Sequence, residues 1–312
     1  MHIAQIGTGR VGRPTANAII CAGLADTLTV CDVKAGLATA FAEELKHVCA
    51  STQLDVEIIA GEKDEEVVGA NIILISAGEP RAPGVKMSRR DLALQNGKII
   101  KYITEATAPR NPHAKYIVIS NPVDAMAMVC KKYAKADFVI STGTNLESLR
   151  FRSKIAQTLK VPVSKIQGWV GGEHGDAAIP LWSTTKIDDL PIEKYAATKN
   201  TIIPKEEISS YVKTVSKQII DNIGGTEHGP AASFRDITKA IVKNTNKIFS
   251  IAAPRKFDNI PEEVFVGIPT ILGALIGESL YNNLTRQEKA GIEEAAKAIH
   301  QTYIATIDYL EQ

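Results

Sequence analysis

The strongest constraint on this chain is the motif GTGRVG at residues 7–12. It follows a short apolar run from His2 to Ile6 and precedes a stretch of helical character from Pro14 to Ile20. Glycines at these spacings permit a tight turn, close approach of the backbone to a pyrophosphate, and close packing of a helix on a strand. The N–H groups at the start of the following helix attract phosphate. The motif could be a structural turn, but its flanking strand and helix predict a dinucleotide-binding loop.

An acidic residue then follows at the expected distance. The next apolar run, Leu28 to Cys31, ends at Asp32, 20 residues after Gly12. A carboxylate at this place accepts hydrogen bonds from the adenosine ribose hydroxyls of NAD. It also repels a 2′-phosphate, so the sequence favours NAD over NADP. Lys34 lies close enough to leave use of both cofactors open.

Apolar strands alternate with amphipathic helices through the first half of the chain. This alternation is typical of an α/β fold with a parallel sheet and right-handed crossovers. The predicted strands are 2–6, 28–31, 56–60, 72–76, 116–120 and 138–141, with helices predicted at 14–20, 37–48, 96–108 and 126–134. Ligands bind such sheets at the carboxyl ends of the strands. We therefore expect one crevice to be lined by the strand-end residues Gly7, Asp32, 76–78, Asn121 and Gly143.

Length and composition narrow the class of protein. A chain of 312 residues suits two subdomains that share a cleft. With 36 Lys and Arg against 35 Asp and Glu, no net charge points to nucleic acid or a membrane. No apolar run approaches the ~20 residues of a membrane helix, and the chain enters its first strand without a signal-like segment. The four cysteines lack metal-ligand spacing, which favours reduced thiols and a cytoplasmic protein.

Two segments at the strand ends carry charged or polar groups. The long segment 79–92 contains two prolines and the arginines Arg81, Arg89 and Arg90, with a predicted helix N-cap at Ser88. It suits a lid that closes over substrate, although loop arginines are usually just solvated. Asn121 ends its strand before Pro122 and could direct its amide into the crevice or simply form a turn.

A predicted helix after the sixth strand carries an ion pair. Asn145 is its expected N-cap, and Glu147 and Arg150 are three residues apart, so they lie on one helix face. The simpler interpretation is a solvent-exposed ion pair that contributes little to stability. The functional interpretation is that an arginine fork on a rigid helix recognises a carboxylate through two hydrogen bonds.

The segment GGEHGD at residues 171–176 follows an apolar run predicted as one strand, Ile166 to Val170. Its His174 has a side chain that gives and takes protons near neutrality. By itself, the segment could be a solvated turn whose glycines supply unusual backbone angles.

Together these segments resemble the lactate/malate dehydrogenase family nearly end to end. The resemblance implies an α/β protein, with a Rossmann-type doubly wound parallel sheet at 1–143 and a mixed α/β substrate-binding domain at 144–312. It implies NAD as cofactor, no metal, and a small dicarboxylate as substrate. The implied cofactor-binding residues are Gly7, Thr8, Gly9, Arg10, Val11, Gly12, Asp32, Gly78, Asn96, Ile119 and Asn121.

The resemblance also assigns roles at the reacting end. His174 is implied as proton donor and acceptor, Arg150 as the clamp on the substrate carboxylate, and Arg89 as the lid residue that polarises the carbonyl. Asn121 is implied to hold both cofactor and substrate, and Thr226 to reach into the substrate pocket. Two departures stand out: Glu147 occupies the place of the family's aspartate, and a longer lid loop makes Arg90 a possible substitute for Arg89.

Arg81 lies at the family's specificity position, where malate enzymes resemble this chain and lactate enzymes have glutamine. An arginine there compensates the second carboxylate of oxaloacetate. The expected function is therefore NAD-dependent, reversible interconversion of malate and oxaloacetate in the tricarboxylic acid cycle, with lactate or another 2-hydroxy acid as the alternative substrate. An NAD-dependent glycosidase and a non-catalytic NAD sensor are more distant alternatives.

In the second half of the chain, the sequence predicts a helix at 205–223 that ends at Gly224 and Gly225, another helix from after residue 230 to about 242, and a final helix at 285–310. Strands are predicted at 248–252 and 264–268. The final helix starts at a capping box from Thr285 to Glu288 and has an apolar face. Because helices of this family commonly form subunit interfaces, we expect a homo-oligomer, a tetramer with a dimer as the alternative.

Overall fold

The computed structural model describes residues 1–79, 89–175 and 177–312. Its strands are β1 (His2–Ile6), β2 (Thr27–Cys31), β3 (Glu57–Gly61), β4 (Ile72–Ile75), β5 (Lys115–Val118), β6 (Val139–Ser141), β7 (Ile166–Gln167), β8 (Val170–Gly172), β9 (Ala178–Pro180), β10 (Lys186–Ile187), β11 (Leu190–Pro191), β12 (Lys247–Arg255), β13 (Val264–Leu272) and β14 (Ile276–Ser279). Its helices are α1 (Gly12–Cys21), α2 (Leu37–Thr52), α3 (Arg89–Thr107), α4 (Val123–Ala134), α5 (Asn145–Leu159), α6 (Ile192–Thr198), α7 (Lys205–Ile223), α8 (His228–Val242) and α9 (Arg286–Leu310).

The first six strands form a parallel sheet in the order β3-β2-β1-β4-β5-β6. This order reverses between β1 and β4, and in doubly wound sheets the ligand crevice opens at that point. The predicted Rossmann-type fold is confirmed. The carboxyl ends of β1, β2 and β4 lie at one edge, which brings the glycine motif, Asp32 and residues 76–78 together.

Strands β1, β2, β4, β5 and β6 are buried on both faces, which explains why they are mostly apolar, whereas the edge strand β3 is partly exposed. Alternate residues of β1 enter different cores: Ile3 packs with α1 and α2 on one face, whereas Ala4 and Ile6 pack with α3 and α4 on the other. The helices therefore hold the sheet from both sides and leave its carboxyl edge for the crevice.

The second half of the chain extends the same sheet with antiparallel strands. Strand β12 pairs with β6 at Ala252 and Ser141, and the order continues through β13, β8 and β9, with β14 also paired to β13. A separate small sheet has the order β11-β10-β7. The predicted division into domains 1–143 and 144–312 stays a prediction.

Two predicted elements have different boundaries. The single strand expected at 166–170 is two short strands, β7 and β8, which belong to different sheets. Gly168 lies between them and packs closely on Phe151, because an added Cβ would lie 3.1 Å from the ring of Phe151. Helix α3 begins at Arg89, which is earlier than the predicted range 96–108 but directly follows the residue predicted as an N-cap, Ser88. Residues 89–92 of the predicted lid segment are therefore helical.

The final helix forms as predicted, including the reciprocal capping box between Thr285 and Glu288. Its apolar face packs inside this chain: Ile292, Ile299 and Ile307 are buried in the core beside α3 and α4. The apolar pattern of α9 is therefore accounted for by the fold of one chain.

Among the described residues, no helix is both long enough and apolar enough to cross a membrane. Cys31, Cys49 and Cys130 are buried free thiols, whereas Cys21 is a free thiol exposed on α1.

Candidate active site

The loop between β1 and α1 contains three glycines, and the structure gives a different reason for glycine at each position. A Cβ on Gly7 would lie 2.4 Å from the Ala77 nitrogen, and one on Gly12 would lie 1.9 Å from the Gly7 carbonyl oxygen. These two positions require glycine for the fold itself. Gly9 has no described atom within 4 Å of an added Cβ, so its backbone borders open space. That space suits the pyrophosphate of a dinucleotide, as the motif predicts.

The Asp32 carboxylate is oriented by the same loop. Thr8 donates hydrogen bonds from its backbone N–H (2.8 Å) and its hydroxyl (3.0 Å) to Oδ2 of Asp32. The backbone N–H of Lys34 donates to Oδ1 at 3.0 Å. A carboxylate has about four acceptor sites, so these three bonds fix its direction and leave acceptor capacity for a ribose hydroxyl.

Asn96 joins the ends of two strands. Its Oδ1 accepts a hydrogen bond from the Glu79 backbone N–H at 2.7 Å, and its Nδ2 donates to the Asn121 carbonyl oxygen at 2.6 Å. Gly78 packs on this amide, where a Cβ would lie 3.0 Å from Oδ1. Asn96 is buried and Asn121 is exposed at the edge of the sheet. The amide of Asn96 thus sets the position of the Asn121 backbone.

Ile119 and residues 76–78 complete this edge of the parallel sheet. The Ile119 N–H bonds to the Ile75 carbonyl at 2.8 Å, and the hydroxyl of Ser120 donates to the Ala77 carbonyl at 2.5 Å. The strand ends that the sequence predicts to form one crevice therefore do lie side by side.

Helix α5 is fastened to β8 by its first turn. Thr144 Oγ1 donates to the Val170 carbonyl at 2.5 Å, and Ser148 Oγ accepts from the Val170 N–H at 3.0 Å. The expected N-cap at Asn145 is wrong: Thr144 is the N-cap, and Asn145 is the first helical residue. The Asn145 amide instead donates to Ser233 Oγ on α8 at 2.8 Å. These bonds set the distance between α5 and the loop after β8.

Glu147 of α5 and His174 of the loop after β8 lie within hydrogen-bonding distance of each other. Nδ1 of His174 lies 3.1 Å from Oε1 and 3.2 Å from Oε2 of Glu147. Arg150 lies beside them, with Nη1 3.2 Å from the Glu147 Oε1. The side chain of Glu147 is 2% exposed, that of Arg150 12%, and that of His174 28%. The acid is thus buried beneath the histidine, while the imidazole reaches the crevice.

Glu147 and His174 each favour the charged form of the other. Burial disfavours the ionised Glu147, but His174 and Arg150 outweigh it and lower the pKa of Glu147 below its usual value. Burial likewise disfavours the imidazolium, but Glu147 and Asp124 outweigh it and raise the pKa of His174. A larger fraction of His174 is therefore protonated at neutral pH than in a free histidine.

Asp124 is a second acid beside His174 to which sequence reasoning gave no role. It is 2% exposed, accepts a 2.5 Å hydrogen bond from Ser141 Oγ, and lies 3.4 Å from the backbone N–H of His174. Burial raises the pKa of Asp124 to about 6. Its place three residues after Asn121, in the first turn of α4, puts it near the crevice edge but does not distinguish it from an ordinary helix-start acid.

The glycines before His174 contribute to sheet packing. Gly172 pairs with Gly267 of β13 and has a φ of 90°, and a Cβ on it would lie 2.7 Å from the Ala177 carbonyl oxygen. A Cβ on Gly171 would lie 3.2 Å from the Gly267 carbonyl oxygen. The lack of side chains at these two glycines lets β8 lie close to β13, and the pairing of the two strands positions the histidine loop.

The other residues that the sequence singled out lie either outside the described part of the chain or in neighbouring elements. Arg81, Ser88 and Asp176 lie outside the described residues. Arg89 and Arg90 form the first turn of α3. Thr226 is half-buried in the junction between α7 and α8. The adjoining Glu227 accepts a 2.8 Å hydrogen bond from Arg10 of the glycine loop, so this junction touches the predicted cofactor site.

Within the described part of the chain, no group of three or more His, Cys, Asp or Glu side chains could hold a metal ion. The polar groups that converge in the crevice are instead those of an acid–base pair beside a cation and a dinucleotide loop.

Comparison with known proteins places the chain in one family. The model for the NAD binding domain of lactate/malate dehydrogenases matches residues 1–138, and the model for their alpha/beta C-terminal domain matches residues 144–305. The chain belongs to the lactate/malate dehydrogenase family. It is therefore a member of a family of NAD-dependent oxidoreductases, and the predicted family and cofactor are confirmed.

Individual proteins of this family match the whole chain. A malate dehydrogenase of Sulfurisphaera tokodaii is 39% identical over 309 residues, covering 99% of this chain and 97% of the relative. One of Sulfolobus acidocaldarius is 36% identical, covering 100% and 99%. A solved lactate dehydrogenase from a Medee basin deep-sea metagenome library has a TM-score of 0.91 at 25% identity, covering 98% of both chains.

Proposed function

We propose that this chain is an NAD-dependent malate dehydrogenase, which interconverts malate and oxaloacetate and serves in the tricarboxylic acid cycle. The observation that carries the proposal is the buried Glu147 beneath His174, with Arg150 beside them and the dinucleotide loop at the same sheet edge. The full-length similarity to two malate dehydrogenases supports malate as the substrate.

The proposed acid–base is His174. Because Glu147 accepts from Nδ1–H, the other ring nitrogen, Nε2, is the one that exchanges a proton with substrate. In the reducing direction the imidazolium protonates the carbonyl oxygen of oxaloacetate, and Glu147 stabilises the charged ring and its orientation. In the oxidising direction neutral Nε2 removes the hydroxyl proton of malate. NAD, when bound, supplies the carbon that accepts or returns hydride.

The proposed substrate contacts are cationic. Arg150 is fixed by Glu147 on a rigid helix and would bind the carboxylate next to the reacting carbon through two hydrogen bonds. Arg89 would stabilise the developing alkoxide, with Arg90 as the alternative for this role. Arg81 would bind the second carboxylate of oxaloacetate. Asn121 and Thr226 would complete the substrate pocket.

The proposed cofactor site follows the edge of the parallel sheet. Gly9 offers its open backbone to the pyrophosphate, and Asp32 has acceptor capacity for the adenosine ribose. The other proposed members are Gly7, Thr8, Arg10, Val11, Gly12, Gly78, Asn96, Ile119 and Asn121. Asn96 would act through the Asn121 backbone that it holds.

A matrix of four steady-state assays tests the proposal: oxaloacetate or pyruvate, each with NADH or NADPH. We expect NADH oxidation with oxaloacetate to be the fastest reaction and to be lost in His174→Asn. Preference for pyruvate would instead support a lactate dehydrogenase, the second candidate, which the similarity to a solved lactate dehydrogenase favours. If the enzyme is a malate dehydrogenase, the Arg81→Gln substitution should lower the turnover of oxaloacetate and improve that of pyruvate.

We further propose that the enzyme is cytoplasmic and homo-oligomeric, a tetramer or a dimer. The three buried free thiols support a reducing compartment. Exposed apolar side chains, among them Ile202 and Ile223 near α7, support association with another copy. Light scattering of the purified enzyme measures the oligomeric state directly.

A further inference from the structure

The turn between β2 and α2 has two carboxylates bound to its backbone. Residues 32–36 form this turn, and Asp32 accepts a hydrogen bond from the Lys34 N–H at 3.0 Å. Glu62, from a different strand end, accepts a hydrogen bond from the Gly36 N–H at 2.8 Å with its Oε1. Gly36 is the N-cap of α2, so this N–H points out of the start of a helix of 16 residues.

The position of Glu62 follows from the register of the sheet. Strands β2 and β3 are parallel, with Cys31 opposite Gly61, so Asp32 and Glu62 are the first residues after two neighbouring strand ends. The Asp32 N–H bonds to the Gly61 carbonyl at 3.1 Å, and the Glu62 N–H bonds to Oε2 of Glu66 at 2.8 Å. Both acids are therefore held at the crevice edge by backbone hydrogen bonds.

This turn is where doubly wound folds distinguish their two dinucleotides. NADP differs from NAD by a 2′-phosphate on the adenosine ribose, and folds that accept it supply an arginine close to that phosphate. A phosphate monoester carries about −1.5 to −2 charge at pH 7. Here Lys34 is the one cation in the sequence of the turn, set against the carboxylates of Asp32 and Glu62. The Gly36 N–H, which could bind a phosphate oxygen, is already bonded to Glu62.

We propose that Glu62 is a second specificity-determining residue for the cofactor. It adds a negative charge beside Asp32 and occupies the backbone donor that a 2′-phosphate would use, and so it excludes NADP despite Lys34. The proposal rests on the proposed placement of the adenosine ribose at Asp32.

The test compares Glu62→Gln with a matched control, Glu57→Gln. Glu57 is the first residue of β3, at the opposite end of the same strand, where it accepts a hydrogen bond from the Thr27 hydroxyl. Both variants remove one negative charge from an exposed glutamate. The measurements are the Kd of NADH and of NADPH, from nucleotide fluorescence without substrate, and kcat/KM for both in oxaloacetate reduction.

We expect Glu62→Gln to tighten NADPH binding about tenfold relative to NADH, as removal of one charge near a partly solvated phosphate should do. Glu62→Ala, which also releases the Gly36 N–H, should tighten it at least as much. This gain in NADPH affinity should be smaller in high salt, because salt screens the repulsion between the exposed Glu62 carboxylate and the 2′-phosphate. A structural defect would weaken both nucleotides, so improved NADPH binding separates the two explanations.

A NADPH/NADH binding ratio in Glu62→Gln and Glu62→Ala within twofold of the wild type and of Glu57→Gln would overturn the proposal. Because binding is measured without substrate, this result is distinct from a failure of the proposed reaction. An enzyme that reduces no 2-oxo acid, but whose Glu62 variants gain NADPH affinity, would refute the proposed function and support the role of Glu62.

Discussion

Replacing Glu147 by glutamine removes the buried charge beneath His174 while nearly preserving its shape. At a separation of about 3 Å and an effective dielectric constant of about 20, the carboxylate and the imidazolium attract each other by about 5 kcal/mol. Part of this is offset by the burial of both groups and by Arg150, which repels the imidazolium. At 1.4 kcal/mol per decade, we expect a loss of about 10³-fold in kcat for oxaloacetate reduction at pH 7.

The same substitution should move the pH profile. Reduction requires protonated His174, so kcat/KM is high below the pKa of His174 and falls as the pH rises through it. Since Glu147 raises this pKa above 6.5, the descending limb of the wild-type profile should lie above pH 6.5, and in Glu147→Gln it should move to lower pH. Stopped-flow absorbance at 340 nm with saturating NADH, recorded across pH, measures both quantities.

Glu147→Asp is the informative comparison, because it keeps the charge and shortens the side chain by one methylene. We expect it to retain activity within about tenfold of wild type and to keep the raised limb. The control variant is Glu207→Gln. Glu207 is an exposed carboxylate on α7 that pairs with Lys154 of α5, the helix that carries Glu147. Equal rates for the Gln and Asp variants, or an unmoved pH limb in Glu147→Gln, would refute the assigned role of Glu147.

Three further predictions follow from the site. Arg150→Lys loses the planar fork, so the KM for oxaloacetate should rise about 100-fold while the Kd of NADH, measured by fluorescence, stays within twofold. Gly9→Ala should unfold at the wild-type temperature but bind NADH at least tenfold more weakly, whereas Gly12→Ala, which meets a backbone oxygen, should lower the Tm; equal thermal shifts would contradict this reasoning. The pKa of Asp124 rises on folding to about 6, so the contribution of this acid to stability decreases as the pH rises from about 4 to above 6. Asp124→Asn should therefore raise the free energy of urea unfolding by up to about 3 kcal/mol at pH 7 and should not raise it at pH 4. A gain in stability that does not depend on pH would be inconsistent with this assignment.

The parallel sheet and its crevice could be predicted from the sequence because the relevant signals are local. Each strand is a short apolar run, and the residue that ends it must lie at the carboxyl edge with all the others. The glycine motif and Asp32 therefore lie side by side at the carboxyl edge of the sheet, as predicted. The long helix α9 was equally local, since its capping box and apolar stripe lie within its own sequence.

Contacts between distant segments could not be predicted from residue patterns. The pairing of Glu147 with His174 came from family resemblance, and the bonds of Thr144 and Ser148 to Val170 depend on how α5 crosses β8. Asp124 carried no pattern that distinguished a helix-start acid from one that is buried against a histidine loop. The role of an apolar helix face is equally ambiguous, since a stripe of this kind predicts burial but not the surface that provides it.

The central claim, hydride transfer between the nicotinamide and C2 of a dicarboxylate, is tested most directly by isotope transfer. The enzyme is given oxaloacetate and NADH that carries deuterium at C4, and the product is analysed by mass spectrometry and proton NMR. The account predicts malate with a single deuterium on C2 and none in His174→Asn reactions run for the same time. Malate without deuterium at C2, or deuterium retained entirely in the nucleotide, would contradict it.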